Sequence, residues 1–164
     1  MKRIERRIEK DITLCNENLE NDFVRLEMDT IYNNPNIPNG GKYVVHGKFK
    51  GLGHISMQIP ADFPFRPPKL FINNIPSKQR LRLTGNRFIQ RYQKMFDRCC
   101  CCCEDSILSS KKWSPAYTFF DILKELKTQH RDKCLVWYSI FLHQVIEKHQ
   151  NLPRELESEI LSFL

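Results

Sequence analysis

Pro60-Ala61-Asp62-Phe63-Pro64-Phe65-Arg66-Pro67-Pro68-Lys69 sits near the middle of the chain and decides how its surroundings are read. Four prolines in nine residues exclude a helix and a central strand. Rigid extended backbone is implied, with an X-Pro bond able to be cis. Immediately upstream, Tyr43, Val45, Gly47 and Phe49 fall on one side of a period-two pattern. Ile55, Met57 and Ile59 do the same in a second segment. With Lys50-Gly51-Leu52-Gly53 between them, the two predict an antiparallel hairpin. Downstream, Leu70-Phe71-Ile72 resumes a strand.

Helical periodicity flanks this block. Ile4, Ile8, Ile12 and Cys15 form an apolar stripe over residues 2 to 20. The turn cluster Asn33-Asn34-Pro35-Asn36-Ile37-Pro38-Asn39-Gly40-Gly41 ends whatever precedes it. Residues 78–98 are basic, and Phe88, Tyr92 and Phe96 recur every four positions, as on a helix face. Ser114-Pro115 predicts a helix start, Ser as N-cap and Pro in the first turn. Phe119, Ile122, Leu123 and Leu126 form its stripe. Residues 132–148 predict another helix, and Pro153 sets off a last short one. Strands segregated from helices give an α+β class.

The 164 residues suit one domain with its own core. A hydrophobic content of 41% excludes a disordered chain. No apolar run approaches the ~20 residues that span a bilayer, so no membrane is expected as a partner. The charged stretch Met1 to Lys10 lacks the apolar centre of a secretory signal. A cytoplasmic location is expected, with nuclear entry open. The net charge of +7 fits either a solvated basic domain or an acidic partner. Nucleic acid is disfavoured, because the helical spacing of the aromatics does not suit base stacking.

Seven cysteines stand out: Cys15, the run Cys99 to Cys103, and Cys134. Adjacent cysteines make strained bridges, and the odd count without a signal points to reduced thiols. Zinc sites use spaced Cys-x-x-Cys pairs, so no metal and no cofactor is expected. S-palmitoylation of the run lacks a flanking hydrophobic anchor.

Two stretches carry a family resemblance. Residues 59–69 resemble the proline-rich segment of ubiquitin-conjugating enzymes, with Phe63 at the usual tyrosine place. Trp113-Ser114-Pro115-Ala116 is similar to the segment that follows their active site, and Cys103 with Ile107-Leu108 is similar to the catalytic Cys and its neighbours. The likeness covers about residues 2–128. It implies the fold of that family: an N-terminal helix, a four-stranded antiparallel meander and C-terminal helices. The domain would span 1–130, with a divergent helical extension over 131–164.

The resemblance also implies an activity. Ubiquitin, or a ubiquitin-like protein, would be received from an activating enzyme as a cysteine thioester, then passed to a lysine or a ubiquitin ligase. Cys103 is the first candidate nucleophile and Cys102 the second, with Cys100 behind them. Asn86 is the stand-in for the family's catalytic Asn, and Asp105 a candidate for orienting lysine. Phe65, Ser114, Pro115 and Ala116 match the ligase-facing surface. Arg6, with Arg3, Arg7 and Lys10, matches the face that meets the activating enzyme. Three departures stand beside these. Cys103 precedes Trp113 by ten residues, more than in the family. The His-Pro-Asn element is missing, and residues 129–164 do not resemble the usual C-terminal helices. The alternative is a non-catalytic relative that binds ubiquitin or a ligase. Leu152-Pro153-Arg154-Glu155-Leu156 with Ile160 to Leu164 resembles the opening helix of an F-box, but only thirteen residues of it are present. An amphipathic helix that caps the domain or fills a partner's groove is the expectation there.

Overall fold

The computed structural model describes residues 2–18, 25–30, 43–97 and 106–148. The turn cluster at 33–41, the cysteine run with Asp105, and the last short helix all lie outside the described residues. What is described is α+β: helix α1 (Lys2–Asn18), a five-stranded antiparallel sheet, then helices α2 (Ser77–Leu81), α3 (Asn86–Phe96) and α4 (Phe119–Lys148). The strands are β1 (Glu27–Thr30), β2 (Tyr43–Phe49), β3 (Gly53–Ile59), β4 (Lys69–Ile72) and β5 (Ile75–Pro76), in that spatial order.

The alternating segments pair as their pattern predicts, with Tyr43 opposite Ile59 and Phe49 opposite Gly53. Val45, Ile55, Met57, Ile59 and Ile72 are fully buried under α1 and α4. On α1, Ile8 and Cys15 are buried, with Ile4 and Ile12 packed beside them. Burial of each such side chain contributes about 1.5–3 kcal/mol.

Five strands are present among the described residues, where four were expected. The fifth comes from Asn73-Asn74, both in the left-handed region at φ 50° and 64°. Asn tolerates that conformation, and two such residues in succession form the tight turn that matches strand twist. The chain therefore folds back for a two-residue strand. Asn73 also ties the neighbouring turn. Its Oδ1 accepts the His54 N–H at 2.9 Å and its Nδ2 donates to the Leu52 carbonyl at 3.1 Å.

The helical segments differ from expectation in two ways. Gly85, at φ 92°, divides the basic stretch into α2 and α3. Residues 119–148 form one uninterrupted helix, where two were expected. No Pro or Gly interrupts residues 119–148, so nothing in the chain breaks the hydrogen-bond ladder there. The helix serves two cores. Phe119, Ile122, Leu123 and Leu126 join the sheet core, while Val136 and Ile140 form a second cluster with Leu83 and Tyr92. Phe88 and Phe96 pack on that second cluster, so the four-residue aromatic spacing is a packing stripe.

The strand β2 passes unusually close to the segment before β1. Asn16 grips Leu26 by accepting its N–H at 2.9 Å and donating to its carbonyl at 3.2 Å. A Cβ on Gly47 would lie 2.9 Å from the Arg25 carbonyl oxygen and 2.8 Å from a Leu26 methyl. Ala in a strand is ordinarily better than Gly by about 0.5–1 kcal/mol. Here the contact with fixed backbone wins, and Gly47→Ala should destabilise by about 1–3 kcal/mol in urea unfolding. A neutral or stabilising result would show that the 25–26 segment is not held against β2.

Candidate functional site

The proline segment and the Trp113 segment meet. Phe63 is buried, with its ring centroid 5.7 Å from Phe119 and 6.4 Å from Trp113. The Phe63-Pro64 bond is cis. Trp113 Nε1 donates to the Pro64 carbonyl at 2.7 Å. Backbone bonds from Phe63 N to Pro60 O and from Phe65 N to Asp62 O close two tight turns around it. An Asp62–Arg66 ion pair at 2.7 Å lies on their outer side.

This packing decides the role of several residues. Phe65 is 76% exposed, so it does not pack at the core edge. Pro115 and Ala116 are exposed as well, and Ser114 is half-buried. The Ser114 segment is a turn, not the helix start expected of it: Tyr117 N donates to Ser114 O, and the Ser114 hydroxyl accepts the Ala116 N–H. The helix begins four residues later. There Thr118 Oγ1 accepts the Asp121 N–H while Asp121 accepts both the N–H and the hydroxyl of Thr118. That reciprocal cap is legible as Thr-x-x-Asp, and it outcompetes Ser114 because both partners serve it.

α1 pins this junction from below. Arg7 donates to the Tyr117 carbonyl at 3.0 Å and meets Asp11 at 3.1 Å. Asp11 is buried and accepts the backbone N–H of Phe119, at the positive end of α4. Burial pushes its carboxyl above the usual range, against the pull of Arg7. Arg7 is thus committed inside the fold, whereas Arg3, Arg6 and Lys10 are exposed on the helix face.

The segment leaving the cysteine run is held from above. Ile107 N donates to Glu125 Oε2 at 3.1 Å, and Gln129 Nε2 donates to Glu125 Oε1 at 2.6 Å. Successive turns from Ser106 lead to Trp113, whose N–H donates to Ser109 O at 2.9 Å. Ile107 and Leu108 pack on the sheet core. Leu108 also lines a groove of about 860 Å³ with Pro60, Asp62, Arg66, Pro67 and Lys78. This groove therefore adjoins Leu108, on the segment that follows the cysteine run in sequence.

The remaining sequence candidates separate. Cys102 and Cys103 lie outside the described residues. Asn86 is exposed at the start of α3, the helix that packs in the second cluster. Trp113 belongs to the first cluster. Cys15 is buried, and burial with the charges of Asp11 and Asp121 pushes its thiol up to about 12, so it cannot serve as a nucleophile. Cys134 is exposed on α4, 3.7 Å from His130 Nε2. Asp11 and Glu125 escaped the sequence reading, because a lone acid in a helical pattern carries no signal until its partner is placed. No helix among the described residues is long and apolar enough to cross a membrane. Comparison with protein-family models, curated proteins and solved structures returned no match.

Two outcomes are expected. Trp113→Phe keeps most of the ring contact but loses the bond to Pro64, at a cost of about 1 kcal/mol. Trp113→Ala loses both, at about 3 kcal/mol or more. A Trp113→Phe variant as stable as the wild type in thermal unfolding would deny the hydrogen bond a role. Burial chiefly raises the Glu125 carboxyl above its usual 4.5, against the bonds from Ile107, Ser106 and Gln129. The folded state then holds this proton more tightly than the unfolded chain. Its contribution to stability is fullest below pH 4.5 and is lost as pH rises through the folded value. The stability of wild type relative to Glu125→Gln should therefore fall with rising pH across that window. A flat difference, or one that grows, contradicts the assignment.

Proposed function

We propose that this chain is a divergent ubiquitin-conjugating enzyme with the fold of that family. The observation that carries the reading is the 2.7 Å bond from Trp113 to Pro64, which joins the two motif segments on which the resemblance rests. The exposed Phe65, Pro115 and Ala116 around that joint support a ligase-facing surface. Exposed Arg6, with Arg3 and Lys10, supports a basic face for the activating enzyme.

The chemistry is an acyl transfer between sulfurs. The Cys103 thiolate attacks the carbonyl of the modifier thioester on the activating enzyme. A new C–S bond forms, and the donor cysteine leaves as thiolate. A lysine amine, or a ligase cysteine, then attacks the carbonyl, and Cys103 leaves as thiolate. The amine loses its proton to solvent or a nearby base. The thiol needs no paired His, because it deprotonates in the encounter with its donor. An N–H or side-chain amide stabilises the oxyanion, and Asn86 is the candidate for that donor. The groove beside Leu108 leaves room for an extended acyl tail.

One observation favours a second reading, a non-catalytic relative that binds ubiquitin or a ligase. Asn86 stands on the helix of the second cluster, away from the Trp113 joint in the pattern of packing. The two readings separate chemically. Incubation with activating enzyme, ATP and ubiquitin should give an adduct that a thiol reductant removes, and Cys103→Ala should abolish it. An adduct that survives in Cys103→Ala moves the site to Cys102 or a neighbour. Absence of any adduct on the wild type, with ubiquitin or ligase binding intact, establishes the binding module instead. Phe65→Ala should weaken ligase binding about ten-fold or more, as expected for an exposed aromatic anchor.

A further inference from the structure

Beside the seam between α3 and α4 opens a cavity of about 210 Å³ whose α3 wall is cationic. Arg87, Arg91 and Lys94 supply that wall, with Gln90 between them. The three cations stand four and three residues apart, so they share one face of α3. Ser139 and His143 line the α4 side. No carboxylate among the described residues lines the cavity. Like charges one helical turn apart repel each other. Three of them around one cavity, with no acid in its described wall, suit an anion brought from outside.

The central cation is held in place. Arg91 Nε donates to Ser139 Oγ at 3.0 Å. Ser139 is fully buried, and its hydroxyl donates to the Val136 carbonyl at 3.0 Å. The guanidinium is thus fixed by its inner nitrogen, which keeps its Nη–H donors for a second partner. Their fork matches two oxygens of a phosphoryl group. Arg91 is half-buried, so water and salt screen it less than the exposed Arg87 and Lys94.

Three features select the ligand. Three cations suit more than one negative charge, and a phosphate monoester carries roughly −1.5 to −2 at neutral pH. The cavity is smaller than the roughly 300 Å³ at which small-molecule sites begin, so it takes the group and not a whole nucleotide. No aromatic ring among the described residues lines it, so neither a nucleobase nor a phosphotyrosine ring has a platform.

We propose that this cavity binds the phosphoryl group of a phosphoserine or phosphothreonine on a partner protein. Arg91 supplies the fork, Arg87 and Lys94 complete the charge, and Ser139 is a positioning residue. The net charge of +7 draws such an acidic partner from a distance. The site is independent of any thioester chemistry.

Fluorescence anisotropy of the full chain tests it, with a labelled pool of degenerate peptides fixed only at a central phosphoserine. This pool should bind at least about ten-fold more tightly than the same pool with serine at the centre. Arg91→Gln should remove most of that preference, and Arg91→Lys should not restore it, because an ammonium lacks the fork. Lys50→Gln, in the β2–β3 turn, should leave it unchanged. The Trp137 indole signal in an NMR spectrum reports that α3 is still seated, since its ring centroid lies 4.3 Å from that of Phe88. Arg87→Gln/Lys94→Gln alters only exposed side chains and should weaken binding several-fold with that signal intact. Equal binding of the two pools overturns the proposal, and so does a preference that the Arg91 and Arg87/Lys94 variants keep. Binding of inorganic phosphate with no preference between the pools overturns it too, because the site then holds an adventitious ion only.

Discussion

Everything described about the central part of this protein turns on one indole N–H. The proline segment cannot join the sheet, because four of its nitrogens carry no hydrogen to give. The Pro60 and Asp62 carbonyls are met within the segment by the Phe63 and Phe65 N–H groups, whereas the Pro64 carbonyl finds its donor in Trp113 Nε1 at 2.7 Å. The bond is made beside the buried Phe63 ring, which itself stacks toward Phe119 at the head of α4. Two parts of the chain, 49 residues apart in sequence at the bond itself, thus share one joint. The exposed side chains around it, Phe65 and Pro115 among them, owe their positions to it.

The joint is buttressed by two carboxylates with matching tasks. Asp11 receives the first N–H of α4 from beneath, and Glu125 receives the N–H of Ile107 on the other side. Each spends part of its solvation to fix a strand of loop against a helix. A buried acid bound to backbone N–H groups constrains position more than it stabilises, since desolvation opposes the bonds it makes. Both flank the stretch that runs from Ser106 to Phe119.

Much of this architecture was legible from residue order, and the misses have physical causes. The β2–β3 hairpin and the α1 stripe were readable because burial on one face leaves a period in the sequence. The Trp113–Pro64 meeting was not legible, since no local pattern announces a contact across 49 residues. β1 went unread because Glu27-Met28-Asp29-Thr30 is an exposed edge with a single inward residue. β5 went unread because a two-residue strand has no period at all; its only cue was the Asn73-Asn74 pair. The start of α4 was misplaced for a different reason. Ser114 and Thr118 are both credible caps, and only the reciprocal Asp121 separates them. Asn86 was chosen as a polar residue in the right interval of sequence, and interval alone says little about distance once Gly85 redirects the chain into α3.

The unbroken length of α4 has a mechanical consequence. About 45 Å long, it is rooted in the sheet at Phe119–Leu126 and clasped by α3 at Val136 and Ile140. A helix frays from its ends, so loosening of the α3 clasp propagates inward, turn by turn, and reaches Glu125 last. The distal bundle is in effect a sacrificial sleeve: it absorbs disturbance at the tip while the root keeps its grip on the loop that follows the cysteines. Backbone amides along α4 would thus exchange in a gradient, fastest beyond Ile140 and slowest near Leu123.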